Sequence, residues 1–228
     1  DFTDFNGAPR TAGLVRLDGN GSVDAAFNPT GPGFNGSVRV IRIQSDGKLL
    51  VGGLFTTANG VTNNYYARLS RDGDVDVPFA LAGNGGADNA VYAIELQGDD
   101  KILLAGDFTR CNGVTRSRIT RLRADGSVDP TINFGTGANG FIAALALPYA
   151  ASGIQQIVAA GGFTPFNDSP AAYLVRLNGG SLDGPGRLEF LSATYSGLES
   201  VVSVPVTVIR RGGTTGPASG TLLPVGGT

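Results

Sequence analysis

VRVIRIQSDGKLLVGG, residues 38–53, and VYAIELQGDDKILLAG, residues 91–106, stand 53 positions apart and share one pattern. A near-continuous apolar run (Val38 to Ile43 in the first copy) meets an Asp-Gly or Asp-Asp turn. A second apolar run follows and ends in small residues, Gly52-Gly53 or Ala105-Gly106. Two short apolar runs joined by such a turn read as a β-hairpin. Their poor alternation suits strands in sheets covered on both faces. Small side chains at a fixed place permit close backbone approach, as near the axis of radially packed sheets. A third, diverged copy, FIAALALPYAASGIQQIVAAGG, runs from Phe141 to Gly162 and closes on Gly161-Gly162.

Outward from the hairpins the same period governs most of the chain. Phe-Thr recurs at Phe2-Thr3, Phe55-Thr56, Phe108-Thr109 and Phe163-Thr164, at spacings of 53, 53 and 55. Four residues after each Phe stands an Asn: Asn6, Asn59, Asn112 and Asn167. Arg-Leu then follows, at Arg16-Leu17, Arg68-Leu69, Arg121-Leu122 and Arg176-Leu177. A turn and an acidic residue close each unit, at Asp24, Asp76, Asp129 and Asp183. Each unit is expected to hold four short strands and no helix. That is an all-β, β-propeller-like architecture of repeats about 53 residues long, with units near 1–53, 54–106 and 107–162 and a partial one at 163–183. Closed propellers typically need four to eight such blades. The chain opens inside a unit and without an initiator Met, so it is expected to be a piece of a longer protein, or to pack its units against other chains.

Composition narrows the chemistry. Glycine is abundant, 36 of 228 residues, without a collagen period, and 41% hydrophobic content is enough to bury a core. A net charge of −2 argues against a nucleic-acid surface. No apolar run approaches the ~20 residues of a membrane helix. Histidine is absent, which excludes Ser-His and Cys-His catalysis and every His-ligated metal site. Cys111 is the single cysteine, so no intrachain disulfide exists, and one thiol leaves the redox compartment open.

The repeated polar residues have positional meaning. Each Arg precedes the closing Asp by eight residues, or seven in the last unit, with a turn between them. Arg16 and Asp24, Arg68 and Asp76, Arg121 and Asp129, and Arg176 and Asp183 can therefore face each other across a hairpin. A structural ion pair, or an Arg bond to backbone carbonyls, is the favoured reading over an anion site repeated in every unit. The Asn of each unit reads as a tight-turn residue bonding nearby backbone. Cys111 occupies the place of Phe5, Ala58 and Phe166, which makes it a small core residue rather than a nucleophile. GPGFNG (31–36) and GTGANG (135–140) match a dinucleotide fingerprint, yet both fall in the same inter-strand loop of successive units and open no helix. In DGDVD (72–76) three carboxylates alternate, without the Gly and Glu of a calcium-binding helix-loop-helix. Asn63, Asn64, Tyr65 and Tyr66 break the usual residues of their loop and are the candidates for a ligand-contacting surface.

FTxxNG, Arg-Leu, DGSVD and QxDGKLLVGG together closely resemble the bacterial delta-60 repeat, over roughly residues 1–183. The resemblance implies a propeller-type fold in large, multidomain, secreted or surface-exposed bacterial proteins, and it implies neither a catalytic residue nor a ligand. After Asp183 the period stops and residues 184–186 read as a linker. Residues 187–228, with Phe190, Tyr195, Leu198-Glu199, the Val202, Val204, Val206, Val208 alternation and Arg210-Arg211-Gly212-Gly213, resemble the opening half of a Calx-beta sandwich. That family's calcium-binding members carry acids where this chain has Leu191 and Gly226, while Glu199 is retained, so no cofactor is expected, and calcium, here or at DGDVD, is the disfavoured alternative. The resulting expectation is a non-enzymatic extracellular or cell-surface structural or adhesion protein. Its partners would be other domains of its parent chain or copies of itself, with no nucleic acid and no membrane insertion. The alternatives are a glycan- or peptide-binding propeller and, with only three Glu available, a glycoside hydrolase or lyase.

Overall fold

The structure is a computed structural model, which describes residues 4–5, 8–9, 13–27, 31–82, 85–98, 100–132, 134–148, 155–178, 187–190 and 208–211. The chain divides into two compact units, Asp1–Asn178 and Gly179–Thr228.

The first unit opens with a short antiparallel ribbon, β1 (Asp4–Phe5) and β2 (Ala8–Pro9). The same set of strands then occurs three times. The first set is β3 (Val38–Ile43), β4 (Leu49–Gly53), β5 (Thr57–Ala58), β6 (Val61–Thr62) and β7 (Tyr66–Leu69). A helix, α1 (Val77–Ala82), separates it from the second, β8 (Val91–Leu96), β9 (Ile102–Gly106), β10 (Arg110–Cys111), β11 (Val114–Thr115) and β12 (Ile119–Leu122). The third is β13 (Ile142–Ala146), β14 (Gln156–Gly161), β15 (Pro165–Phe166), β16 (Ser169–Pro170) and β17 (Leu174–Asn178). In each set the second long strand pairs antiparallel with the first and the third, giving the orders β3-β4-β7, β8-β9-β12 and β13-β14-β17. The two-residue strands between them form a separate ribbon.

Two features depart from the four-stranded, helix-free unit. The fourth strand is reduced to one bridge beyond the turn, Leu17 to Val23, Leu69 to Val75 and Leu122 to Val128. The next residue, the repeated Asp, turns the chain away before a second pair can form. At Asp76 that turn continues as α1: the Asp76 carboxylate accepts from the Phe79 N–H at 3.2 Å, an N-cap, and Pro78 tolerates the first turn because it lacks a donor. The sheets also run across the unit limits at 53/54 and 106/107, because the hairpin before each Phe-Thr and the strand after it share a central strand.

Alternate residues of each central strand enter different cores. Val51 packs with Leu14, Phe27, Phe34 and Phe55 ahead of the first sheet. Leu50 and Leu104 lie together between the first and second sheets, and Leu103 lies with Ile157 and Phe163 between the second and third. Successive sheets thus stack face to face, and the middle one is covered on both sides. Their first strands lie side by side, β3 against β8 and β8 against β13.

Every first strand carries a bulge at its second residue, Arg39, Tyr92 or Ala143, where the pairing register shifts. The cause is a backbone contact at the end of the central strand. A Cβ on Gly53 would stand 2.0 Å from the Ser37 carbonyl oxygen, one on Gly106 2.0 Å from that of Ala90, and one on Gly161 2.1 Å from that of Phe141. The equivalent of Gly52-Gly53 in the third copy is therefore Ala160-Gly161, not Gly161-Gly162.

In the second unit β18 (Arg187–Phe190) pairs antiparallel with β19 (Val208–Arg211), Arg187 opposite Arg211 and Phe190 opposite Val208. Asp183, the linker at 184–186, Leu191, Glu199 and Gly226 lie outside the described residues.

Candidate functional site

The repeated Arg and Asp meet where β7 or its equivalent leaves the sheet and the turn returns beside it. Arg16 Nε donates to Asp24 at 2.7 Å, Arg68 Nε to Asp76 at 3.0 Å and Arg121 Nε to Asp129 at 2.7 Å. The second carboxylate oxygen of each Asp accepts from backbone two or three residues on, from Ala26 at 2.8 Å, Phe79 at 3.2 Å and Thr131 at 2.9 Å. One Asp thus closes the turn and anchors the guanidinium. The rest of the guanidinium reaches out of its own sheet: Arg16 Nη1 donates to the Arg71 carbonyl and Arg68 Nη1 to the Ala124 carbonyl, each at 2.5 Å and each in the next repeat's turn. Arg121 instead donates to Gln97 Oε1 and Thr131 Oγ1. The Arg16 and Arg68 guanidinium carbons also sit 4.8 Å and 4.1 Å from the ring centres of Phe27 and Phe79.

The carboxylates are held below their ordinary value. For Asp24 the Ala26 N–H leads, followed by Arg16. For Asp76 burial works to raise the value and is outweighed by Lys48, the Phe79 N–H and Arg68. For Asp129 burial is outweighed by the Thr131 hydroxyl and N–H and then by Arg121. Asp76 is the last acid of the DGDVD run, and its carboxylate faces Arg68 at 3.0 Å and Lys48 at 3.1 Å. Arg176 is exposed on β17, and its sequence partner Asp183 lies outside the described residues.

The repeated Asn residues take left-handed backbone, with φ of 46°, 51° and 51° at Asn59, Asn112 and Asn167. Asn59 and Asn167 tie down the glycine loops of the two fingerprint-like segments. Gly33 N donates to Asn59 Oδ1 at 3.0 Å and Gly137 N to Asn167 Oδ1 at 2.8 Å. Asn59 and Asn112 also donate from Nδ2 to the Gly73 and Gly126 carbonyls of the following turn, both at 2.9 Å. Asn6 lies outside the described residues.

The four loop candidates are built into the joint between the first two sheets. Asn63 is buried and donates to the Val61 carbonyl at 3.2 Å. Asn64 donates to the Gly85 carbonyl at 2.6 Å, and its own carbonyl accepts from Ala87 N. Tyr65 is half-buried with φ of 68°, a conformation shared by Arg118 and Tyr173 at the same place in the later repeats. Tyr66 is buried and donates from Oη to Asn112 Oδ1 at 2.7 Å, and burial, more than neighbouring Cys111, pushes its phenol well above the usual value. The cleft beside them holds about 10 Å³, the size of one water. Cys111, on β10 of the second ribbon, is buried, and burial pushes its thiol up to about 12.

A larger opening lies along the converging first strands. A groove of about 340 Å³ is lined by Arg39, Ile41, Tyr92, Ala144 and their neighbours. Arg39 is exposed there, the Tyr92 ring meets Phe141 edge-on at 6.2 Å, and Arg42 bonds Glu95 at 2.5 Å across the strands. The sequence carried a signal for it: the bulged position is Arg, Tyr and Ala in three hairpins whose flanking residues repeat. Among the described residues no group of three or more acids and cysteines gathers to hold a metal, and no helix is long and apolar enough to cross a membrane.

A family model described as a β-propeller domain of unknown function, DUF5122, matches residues 1–27, 44–79, 97–131 and 156–183, more than half of the chain. The matches at 44–79 and 97–131 each begin in the hairpin turn and end beyond the repeated Asp, and the last begins with β14 and ends on Asp183. No curated protein and no solved structure matches.

Proposed function

Because the chain belongs to the DUF5122 β-propeller family, we propose that it serves as a non-enzymatic scaffold module of a secreted or cell-surface bacterial protein. The observation that carries this reading is the Arg–Asp–carbonyl arrangement, in which the repeated charged groups join one sheet to the next. Groups fully engaged in holding modules together serve a structural repeat, not a reaction. The delta-60 and Calx-beta resemblances supply the setting, with a β-sandwich following the propeller repeats as a further spacer. Antibody raised against this chain is expected to label intact cells that carry the parent protein. Label only after lysis would overturn the surface assignment, and turnover of oligosaccharide by the purified chain would overturn the non-enzymatic one.

The groove supports a second reading, a glycan- or peptide-binding propeller. Its volume falls within the ~300–1,000 Å³ of ligand pockets, and it offers a guanidinium beside an aromatic ring. Calorimetry against acidic and neutral oligosaccharides decides it. Binding lost in Tyr92→Ala places the ligand in the groove, and no heat from either class removes the glycan reading.

A further inference from the structure

We propose that Asn20, at the tip of the exposed turn Asp18–Ser22, is a site of spontaneous covalent modification, where the carboxamide is lost through a ring closed by the Gly21 nitrogen. The balance needs only water. The Gly21 backbone N gives its proton to solvent and bonds to Asn20 Cγ, the Cγ–Nδ2 bond breaks, and ammonia leaves. Water then opens the resulting succinimide at either carbonyl, which leaves Asp or its isoaspartyl isomer at position 20. Glycine after Asn favours the ring because it has no side chain to crowd the attack.

Asn-Gly recurs along this chain, and the structure separates one pair from the rest. Five pairs lie within the described residues, at Asn20, Asn35, Asn59, Asn112 and Asn139, while Asn6, Asn84 and Gly179 lie outside them. Four of the five have the carboxamide held at both ends. Asn59 accepts from Gly33 N and donates to the Gly73 carbonyl. Asn112 is buried, accepts from Tyr66 Oη and donates to the Gly126 carbonyl. Asn35 accepts from the Thr56 and Thr57 N–H groups and donates to Thr56 Oγ1. Asn139 accepts from Thr164 N and donates to Thr164 Oγ1. Asn35 and Asn139 are exposed, so access to water does not set the order. Their glycines are wedged as well: a Cβ on Gly36 would stand 2.5 Å from the Leu54 carbonyl oxygen, and one on Gly140 2.1 Å from that of Gly162. Loss of ammonia at any of the four breaks hydrogen bonds that the fold uses.

Asn20 differs on each count. Its Oδ1 accepts from the Ser22 N–H at 2.9 Å, which places a donor on the oxygen that gathers charge when Cγ is attacked. Its Nδ2, the leaving group, donates to none of the described residues. Neither Gly19 nor Gly21 has an atom within 4 Å of its Cβ position, so the backbone can turn on both sides. One bond must open first, from Gly21 N to the Asp18 carbonyl at 2.9 Å, and local opening of an exposed turn costs little. The tip stays outside whatever packs before the repeat: Asp72 and Asp125 hold the same place behind a preceding repeat and are exposed too. Asp125 also shows that the turn accepts the product, since its carboxylate takes the Ser127 N–H at 2.8 Å in the bond that Asn20 makes to Ser22. Each event adds a negative charge to a chain whose net charge is −2.

The test is a peptide map of the whole 228-residue chain after weeks at mildly alkaline pH, read by mass spectrometry at each Asn-Gly pair. Asn20 is expected to convert about tenfold or more faster than Asn35, Asn59, Asn112 and Asn139. It is expected to give two chromatographic products of equal mass, Asp and isoaspartate, the signature of the ring. In urea the five pairs are expected to convert at similar rates, because the fold and not the local sequence sets the order. Equal rates in the folded chain, or an Asn20 that persists while another of the five converts, overturns the proposal. A single Asp product, or the same order of rates in urea, overturns it as well.

Discussion

Arg121 and Asp129 are fully buried while their counterparts Arg16 and Asp24 are partly exposed, so one repeated pair samples two environments. Removing one member of a buried pair strands the other charge, at a cost of about 3–5 kcal/mol, whereas an apolar replacement of both loses less. Arg121→Ala and Asp129→Ala are each expected to destabilise by that amount in urea unfolding, and Arg121→Met with Asp129→Leu by less than either. The same substitution at Arg16 is expected to cost less than at Arg121. Asp76 and Asp129 are held below their unfolded value of 3.8, so their contribution is complete above that pH. Below it the unfolded chain binds protons first, and stability falls until the folded-state values are passed. Melting temperature is expected to be level above about pH 5 and to drop below 3.8, with a shallower drop in Asp129→Asn. Cys111, its thiol pushed up to about 12, is expected to react with a thiol reagent only on unfolding, as a stopped-flow trace in denaturant would show.

At the scale of the element, the glycine that ends each central strand sets the bulge. Gly106→Ala would drive a Cβ into the Ala90 carbonyl, whereas Gly98 has nothing within 4 Å of its Cβ position. The first substitution is expected to cost about 3 kcal/mol or more and the second under about 1 kcal/mol, measured by the same unfolding curves. The hairpins were legible because turn dipeptides and apolar runs are local signals. The Arg–Asp pairs were legible because eight residues around a turn bring two strand positions opposite each other. Arg68's bond to Ala124 was not, since any residue offers a carbonyl and nothing in the identity of Ala124 marks it. Tyr66 misled for a related reason. It departs from Ile119 and Leu174 at its position because it alone reaches across to the next repeat's Asn112, so a break in the pattern marked a joint and not a loop surface. The helix α1 was missed because its cap is the same Asp that only turns the chain in the other repeats.

Across the whole propeller unit, burial is greatest in the middle: every residue of β9 and β12 is buried, while β3 and β17 keep exposed positions. Amide exchange is expected to be slowest at Ile102–Gly106 and Ile119–Leu122, and uniform protection across the three sheets would contradict the gradient. The period of 53 announced repeats and their stacking, yet it left the phase of the sheets undetermined, because a cyclic pattern can be cut anywhere. The small-residue pair also reads one residue late in the third copy, where Gly162 follows Gly161, although the strand-ending glycine stands two residues before the Phe in every copy. The Arg–carbonyl bond, finally, has a bearing on how such a chain can evolve. At the two joints made by Arg16 and Arg68 the repeat brings the donor and the next repeat the acceptor, and the acceptor is main chain, indifferent to the side chain above it. Duplicating or deleting a unit that joins in this way therefore leaves a correct joint behind with no compensating change elsewhere, and copy number can drift between lineages while such junctions keep their chemistry.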